Sequence, residues 1–237
     1  MNDDPVLCVE DLVSGYGDVQ VLHGLSLQLR ADEIVCIVGP NGAGKSTVLR
    51  AVFGLLEPWS GRVRLRGTDI TGRPPEAVVR AGVGYVPQTE NVFGSLTVEE
   101  NLRMGGVSRD GGVEATIASL YDRFPLLEGK RSARARELSG GQRQVLAFAR
   151  ALMTDPDVLL VDEPSAGLAP KTAEDVFDRV EAVNDAGTAV VMIEQNARAG
   201  LAVADRGYVL DQGEVRFEGD ADMLLEDPEV AQLYLGG

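Results

Sequence analysis

Residues 39–47 read GPNGAGKST, a run of small residues that ends in a lysine and two hydroxyls. The spacing suits a loop that wraps an anion: Gly39, Pro40, Asn41, Gly42, Ala43 and Gly44 bring backbone N–H groups close to phosphate oxygens. Lys45 would reach the outer phosphates, and Ser46, followed by Thr47, offers a hydroxyl to Mg²⁺. A glycine-rich turn is the plain alternative, and the context argues against it. The run follows an apolar strand and opens a helix, as a phosphate loop requires. Residues 158–163, VLLVDE, form a second element, an apolar strand that delivers two acids at its carboxyl end, the edge where open α/β sheets place ligands. Asp162 would orient a Mg²⁺ shell. Glu163 would polarise an attacking water as general base, with Pro164 keeping its neighbour out of helical geometry. Standing alone, such an acid pair is a solvated turn; beside a phosphate loop it becomes chemistry.

A third element, LSGGQ at 138–142, precedes an apolar helical run through Val145, Leu146, Ala149 and Leu152. Ser139 and Gln142 have the S-x-x-Q spacing of a capping box, so the helix tip at Gly140 and Gly141 would present backbone donors to an anion. A well-capped helix and nothing more is the bland reading. The chain already has one phosphate site at Lys45, however, so a second anion-reading tip suggests a nucleotide held by a partner.

These residues need a scaffold, and the patterning supplies one. Short strands are expected over 6–12 and 24–29, and the near-continuous apolar run at 33–38 predicts a strand buried on both faces of a parallel sheet. Residues 61–70 alternate Val63 and Leu65 with arginines, which predicts one strand of an antiparallel edge sheet. Thr97 and Glu100 make a capping box before a short helix; residues 105–112 read as a glycine-rich loop, and 113–124 as a helix. A strand at 158–161, a helix at 170–186, a strand at 189–193 and a hairpin around 211–214 complete the chain. The expected fold is α/β, a P-loop NTPase core with a mixed sheet, an antiparallel edge sheet and an inserted helical lobe. The division is one domain over 1–237, with the core at 1–88 and 154–237 and the lobe at 89–153.

Composition narrows the partners. The 237 residues carry 37 acids against 22 bases, a net charge of -15, so no nucleic acid is expected as a partner. Cys8 and Cys36 lack metal-type spacing; Cys36, inside IVCIV, reads as a core residue in a reducing compartment. No apolar run approaches the roughly 18 residues needed to cross a bilayer, so the chain is expected to be soluble and any membrane path to come from other chains.

Together GPNGAGKST, Gln88 where core gives way to lobe, LSGGQ and VLLVDEPS resemble the ATP-binding-cassette ATPases over essentially the whole chain. The resemblance implies ATP and Mg²⁺ as ligands, and two cassettes that sandwich two ATP molecules, each phosphate loop facing the partner's LSGGQ. It also implies that Tyr16 stacks on adenine and that Gln88 contacts Mg²⁺. EENLRMGG, DEPSAGLAP, IEQNA, ADRGYVLDQGEV and the ending YLGG are similar, more narrowly, to the shorter ATPase subunit of branched-chain amino-acid uptake systems. Similar subunits serve urea and short-chain amide uptake. A soluble cassette ATPase acting on ribosomes or DNA fits less well, given the acidic balance and the single cassette. The implied partners are a second ATPase subunit, expected to be a paralogue, transmembrane permease subunits and, indirectly, an extracytoplasmic solute-binding protein. The implied location is the cytoplasmic face of the membrane. The chain departs from the general pattern at Gln195, where most members have histidine, and at Gly167 and Leu168 in SAGL. Gln195 can donate to a γ-phosphate but cannot become cationic. The sole histidine, His23, reads as a surface or packing residue.

Overall fold

The computed structural model describes residues 4–89 and 91–234; the last three residues of the YLGG ending lie outside the described residues. Strands β1 (Leu7–Tyr16) and β2 (Val19–Leu29) pair antiparallel, and β3 (Ile34–Val38) leads through the glycine-rich loop into α1 (Lys45–Val52). Next come β4 (Ser60–Leu65), β5 (Thr68–Asp69), α2 (Pro75–Ala81) and β6 (Val83–Val86). Helices α3 (Val98–Gly105), α4 (Val113–Arg123), α5 (Pro125–Glu128) and α6 (Gly140–Leu152) follow. The chain then runs through β7 (Val158–Asp162), α7 (Pro170–Asn184), β8 (Ala189–Glu194), α8 (Ala197–Ala202), β9 (Arg206–Asp211), β10 (Glu214–Asp220), α9 (Ala221–Glu226) and α10 (Pro228–Tyr234).

Two sheets result. One is antiparallel, in the order β2-β1-β4-β5; the other is six-stranded, in the order β10-β9-β3-β8-β7-β6, with parallel pairing from β9 through β6 and an antiparallel edge at β10. The centre of the larger sheet is apolar because both of its faces are covered. Every residue of β3, β7 and β8 is buried. On one face Val35, Ile37, Leu160 and Val191 pack with Val48 and Leu49 of α1 and with Leu7, Leu12 and Leu27 of the antiparallel sheet. On the other, Cys36, Val161 and Met192 join a core that includes Leu102 of α3, Leu120 of α4 and Leu146 and Phe148 of α6.

Three expectations need correction. The strand predicted over 6–12 runs on to Tyr16, because register shifts on either side of Leu12, with Asp11 in the left-handed region at φ 47°, let β1 bend and continue. The single strand predicted over 61–70 is broken at Arg66 and Gly67, both at positive φ, and the residues beyond turn back as β5. The segment 75–86, for which no element was anticipated, supplies α2 and β6, the latter pairing with β7. The capping box at Thr97 and Glu100 is present at the head of α3.

Candidate active site

The glycine-rich loop leaves β3 at the carboxyl edge of the parallel sheet and is supported from behind. At Gly39 an added Cβ would run into the Leu210 carbonyl of β9, so the loop can approach that strand only because the position is glycine. Gly213, in the β9–β10 turn, donates its N–H to the Ala43 carbonyl at 2.9 Å and accepts the His23 N–H at 3.0 Å. Lys45 is 5% exposed, and its Nζ donates to the carbonyls of Gly39 at 2.8 Å and Pro40 at 3.1 Å. Burial lowers the Lys45 pKa, against the opposing pull of the Glu163, Asp162 and Glu194 carboxylates. The cation thus lies inside the loop on neutral carbonyl acceptors, which anionic phosphate oxygens would replace with ion pairs.

The acids at the end of β7 complete the cleft. Ser46 Oγ donates to Asp162 Oδ1 at 3.0 Å, and Tyr85 Oη, from β6, donates to Asp162 Oδ2 at 3.2 Å. Burial, and then the Asp162 charge, push the Tyr85 phenol well above its usual range, so it remains a donor. The touching hydroxyl and carboxylate of Ser46 and Asp162 are hard oxygen ligands that fit Mg²⁺. Among the described residues no group of three or more His, Cys, Asp or Glu could hold a metal ion. Glu163 has φ 44° and its N–H bonds to the Ile193 carbonyl at 3.0 Å; its carboxylate accepts Gln88 Nε2 at 2.6 Å.

Tyr16, at the end of β1, is 43% exposed. Its hydroxyl lies 3.5 Å from Thr47 Oγ1 and accepts Arg50 Nη1 at 3.2 Å. Tyr16, Asn41, Gly42, Gly44, Lys45, Ser46, Thr47 and Glu163 line one cleft of about 300 Å³. The LSGGQ residues and Gln195 lie elsewhere. Ser139 and Gln142 form the reciprocal capping box, with Gln142 N to Ser139 Oγ at 3.3 Å and Ser139 N to Gln142 Oε1 at 3.1 Å. Gly140 is exposed beside them, and Gly141 lies against Thr172 of α7. Gln195 is exposed and lines a separate cleft of about 510 Å³ with Ser165, Gly167, Leu168 and Glu194. Within one chain, therefore, the LSGGQ tip and Gln195 do not border the Lys45 cleft. Sequence reasoning missed Tyr85, Arg50 and Glu194. The only available signal for Tyr85 was its place three residues before Gln88. His23 is exposed and bonds Gln20 Nε2 through Nδ1, and Cys36 is buried, as their readings anticipated.

A phosphate loop between β3 and α1, with an acid pair at the end of the parallel strand β7, one strand away across β8, defines the P-loop NTPase class. Comparison with known proteins narrows it. The ABC transporter family model matches residues 22–166. The chain is 40% identical to the high-affinity branched-chain amino acid transport ATP-binding protein BraG of Pseudomonas aeruginosa, over 98% of this chain and all of that one. It is 41% identical to a probable branched-chain amino acid transport ATP-binding protein, LivF, of Archaeoglobus fulgidus, over 95% and 96%. It is 34% identical to the lipopolysaccharide export ATP-binding protein LptB of Escherichia coli K12, over 97% of each. Among solved structures, a nucleotide-free ATP-binding cassette from an ABC transporter superposes with TM-score 0.88 at 30% identity, covering 99% and 100% of the two chains. The chain belongs to the ABC transporter family, as an ATP-hydrolysing, ATP-binding subunit.

Proposed function

We propose that the chain binds Mg·ATP in the Lys45 cleft and hydrolyses it to energise import of branched-chain amino acids. The observation that carries the catalytic part is the convergence of Lys45, the Ser46–Asp162 pair and Glu163 on one cleft. In this reading the backbone donors of residues 39–44 and Lys45 hold the β and γ phosphates. Ser46 and Asp162 hold Mg²⁺, which neutralises phosphate charge; Gln88 contributes to its shell, and Tyr16 faces the base. Glu163 accepts the proton of the attacking water. Ser139, Gly140, Gly141 and Gln142 serve the ATP of a second cassette, and Gln195 donates a neutral hydrogen bond to the γ-phosphate of the site built around Lys45. No helix among the described residues is long and apolar enough to cross a membrane, so permease subunits supply the path and hold the chain at the cytoplasmic face. A paralogue is the proposed second cassette, because a homodimer would place a neutral amide at both switch positions.

Similarity over nearly the full length to BraG and LivF supports the amino-acid assignment over lipopolysaccharide export, whose subunit is 34% identical. Urea or short-chain amide uptake is the alternative within importers. Glu163→Gln tests the chemistry: turnover should fall at least 100-fold, about the contribution of a general base, with ATP affinity unchanged. Near-wild-type turnover would overturn the assignment of the base. Uptake of labelled leucine by vesicles holding the chain together with its permease subunits tests the cargo; uptake of urea instead would overturn it.

A further inference from the structure

Glu194 ends β8, between β3 and β7 at the centre of the parallel sheet, and is 1% exposed. The five residues before it, Ala189 to Ile193, are apolar and equally buried, so packing alone asks for no charge there. A buried carboxylate is costly unless its oxygens are satisfied. Here one residue satisfies both: Ser165 N–H donates to Oε1 at 2.9 Å and Ser165 O–H donates to Oε2 at 2.8 Å. No salt bridge among the described residues includes Glu194. Burial pushes its carboxyl up, with the Ser165 and Asn196 donors pulling against it.

The direction of these bonds matters. Ser165 lies two residues beyond Glu163, and the residue before Glu194, Ile193, accepts the Glu163 N–H at 3.0 Å. Consecutive residues of β8 therefore grip alternate residues of the segment leaving β7. That segment needs an external grip, because Glu163 stands in the left-handed region, which costs a non-glycine residue roughly 1–2 kcal/mol. Pro164, between the two held residues, has no N–H with which to make a third tie.

We infer that Glu194 is a positioning residue for hydrolysis: its two-oxygen hold on Ser165 fixes the backbone of residues 163–165 and so aims the Glu163 carboxylate into the Lys45 cleft. The inference rests on the reading of Glu163 as general base. It makes a specific distinction between charge and geometry. A glutamine at 194 can still accept the Ser165 N–H through its oxygen and can donate its amide to Ser165 Oγ, so it keeps both ties without the charge. An alanine keeps neither.

The experiment measures kcat, KM for ATP, affinity for a fluorescent ATP analogue and thermal melting for Glu194→Gln, Glu194→Ala, Ser165→Ala and Glu163→Gln. Glu194→Gln should turn over within threefold of wild type. Glu194→Ala should lose at least 30-fold in kcat with KM and analogue affinity within threefold, and Ser165→Ala, which keeps one tie, should lose about fivefold. Added to Glu163→Gln, Glu194→Ala should cause no further loss in residual single-turnover rate, since both changes act through the same carboxylate. If Glu194→Ala does not fold, Ser165→Ala and Glu194→Gln decide: wild-type kcat in the first, or a 30-fold loss in the second, overturns the inference. So do wild-type kcat in Glu194→Ala, a loss shared equally by ATP affinity, or an additive loss on the Glu163→Gln background. A dead Glu163→Gln beside a fully active Glu194→Ala removes the inference alone; an active Glu163→Gln removes the reading of the base on which it rests.

Discussion

The Gln88 amide donates to the Glu163 carboxylate across 2.6 Å, joining the segment that follows β6 to the segment that follows β7. Charge-assisted bonds of this kind are roughly twice as strong as neutral ones, so the amide governs where the carboxylate points. Gln88→Ala releases it. The expected result is a fall in kcat of about tenfold with little change in ATP affinity, one hydrogen bond to a charged group being worth about 1.5–3 kcal/mol at most. Steady-state turnover beside equilibrium nucleotide binding checks this. An equal loss in both would mean that Gln88 chiefly holds the loop together.

Tyr85 acts on the other acid. Its hydroxyl donates to Asp162 Oδ2 while Ser46 takes Oδ1, so the carboxylate is oriented from two sides. Outer partners of this type typically change metal affinity by roughly 10–100-fold when removed. Tyr85→Phe should therefore raise the Mg²⁺ concentration needed for half-maximal turnover about tenfold, with the maximal rate nearly restored at saturating Mg²⁺. A titration with Mg²⁺ at fixed ATP reads the outcome.

The cap of α3 gives a prediction about stability. Glu100 N donates to Thr97 Oγ1 at 3.2 Å, and Thr97 N donates back to Glu100 Oε2 at 2.7 Å. Thr97→Ala should cost about 1 kcal/mol. That is a fall in melting temperature of about 2–4 °C for a chain of this size. The Thr97 donors hold the Glu100 carboxyl below its usual pKa. A carboxyl depressed by folding contributes stability that is present above its unfolded pKa and is lost as pH falls through its folded one. The stability gap between wild type and Glu100→Gln should thus be widest near neutral pH and close in acid. Melting curves across that range check the sign.

What was legible in the sequence was what lies close together along it. The phosphate loop, the capping boxes at Thr97 and Ser139, and the acids after β7 are each written within a few residues, and local physics fixes them. Tyr85 and Asp162 are 77 positions apart, and Ser165 and Glu194 are 29 apart; both contacts exist because of the strand order, which no local pattern encodes. The bulges of β1 escaped for a different reason. A non-glycine residue at positive φ, such as Asp11, carries little signature of its own, so the strand expected to stop at residue 12 in fact ends at Tyr16.

Gly213 holds the phosphate loop through the Ala43 carbonyl and reaches across to His23, at a place where any Cβ would strike the Val21 carbonyl. The brace is the last part of the cleft to be made during synthesis. A ribosome that has already released Lys45, Asp162 and Glu163 has delivered all the reactive groups, yet the loop has no back wall until residue 213 has cleared the exit tunnel and β9 has settled beside β3. A chain cut short before β9 would thus carry Lys45, Asp162 and Glu163 without the wall that backs the loop.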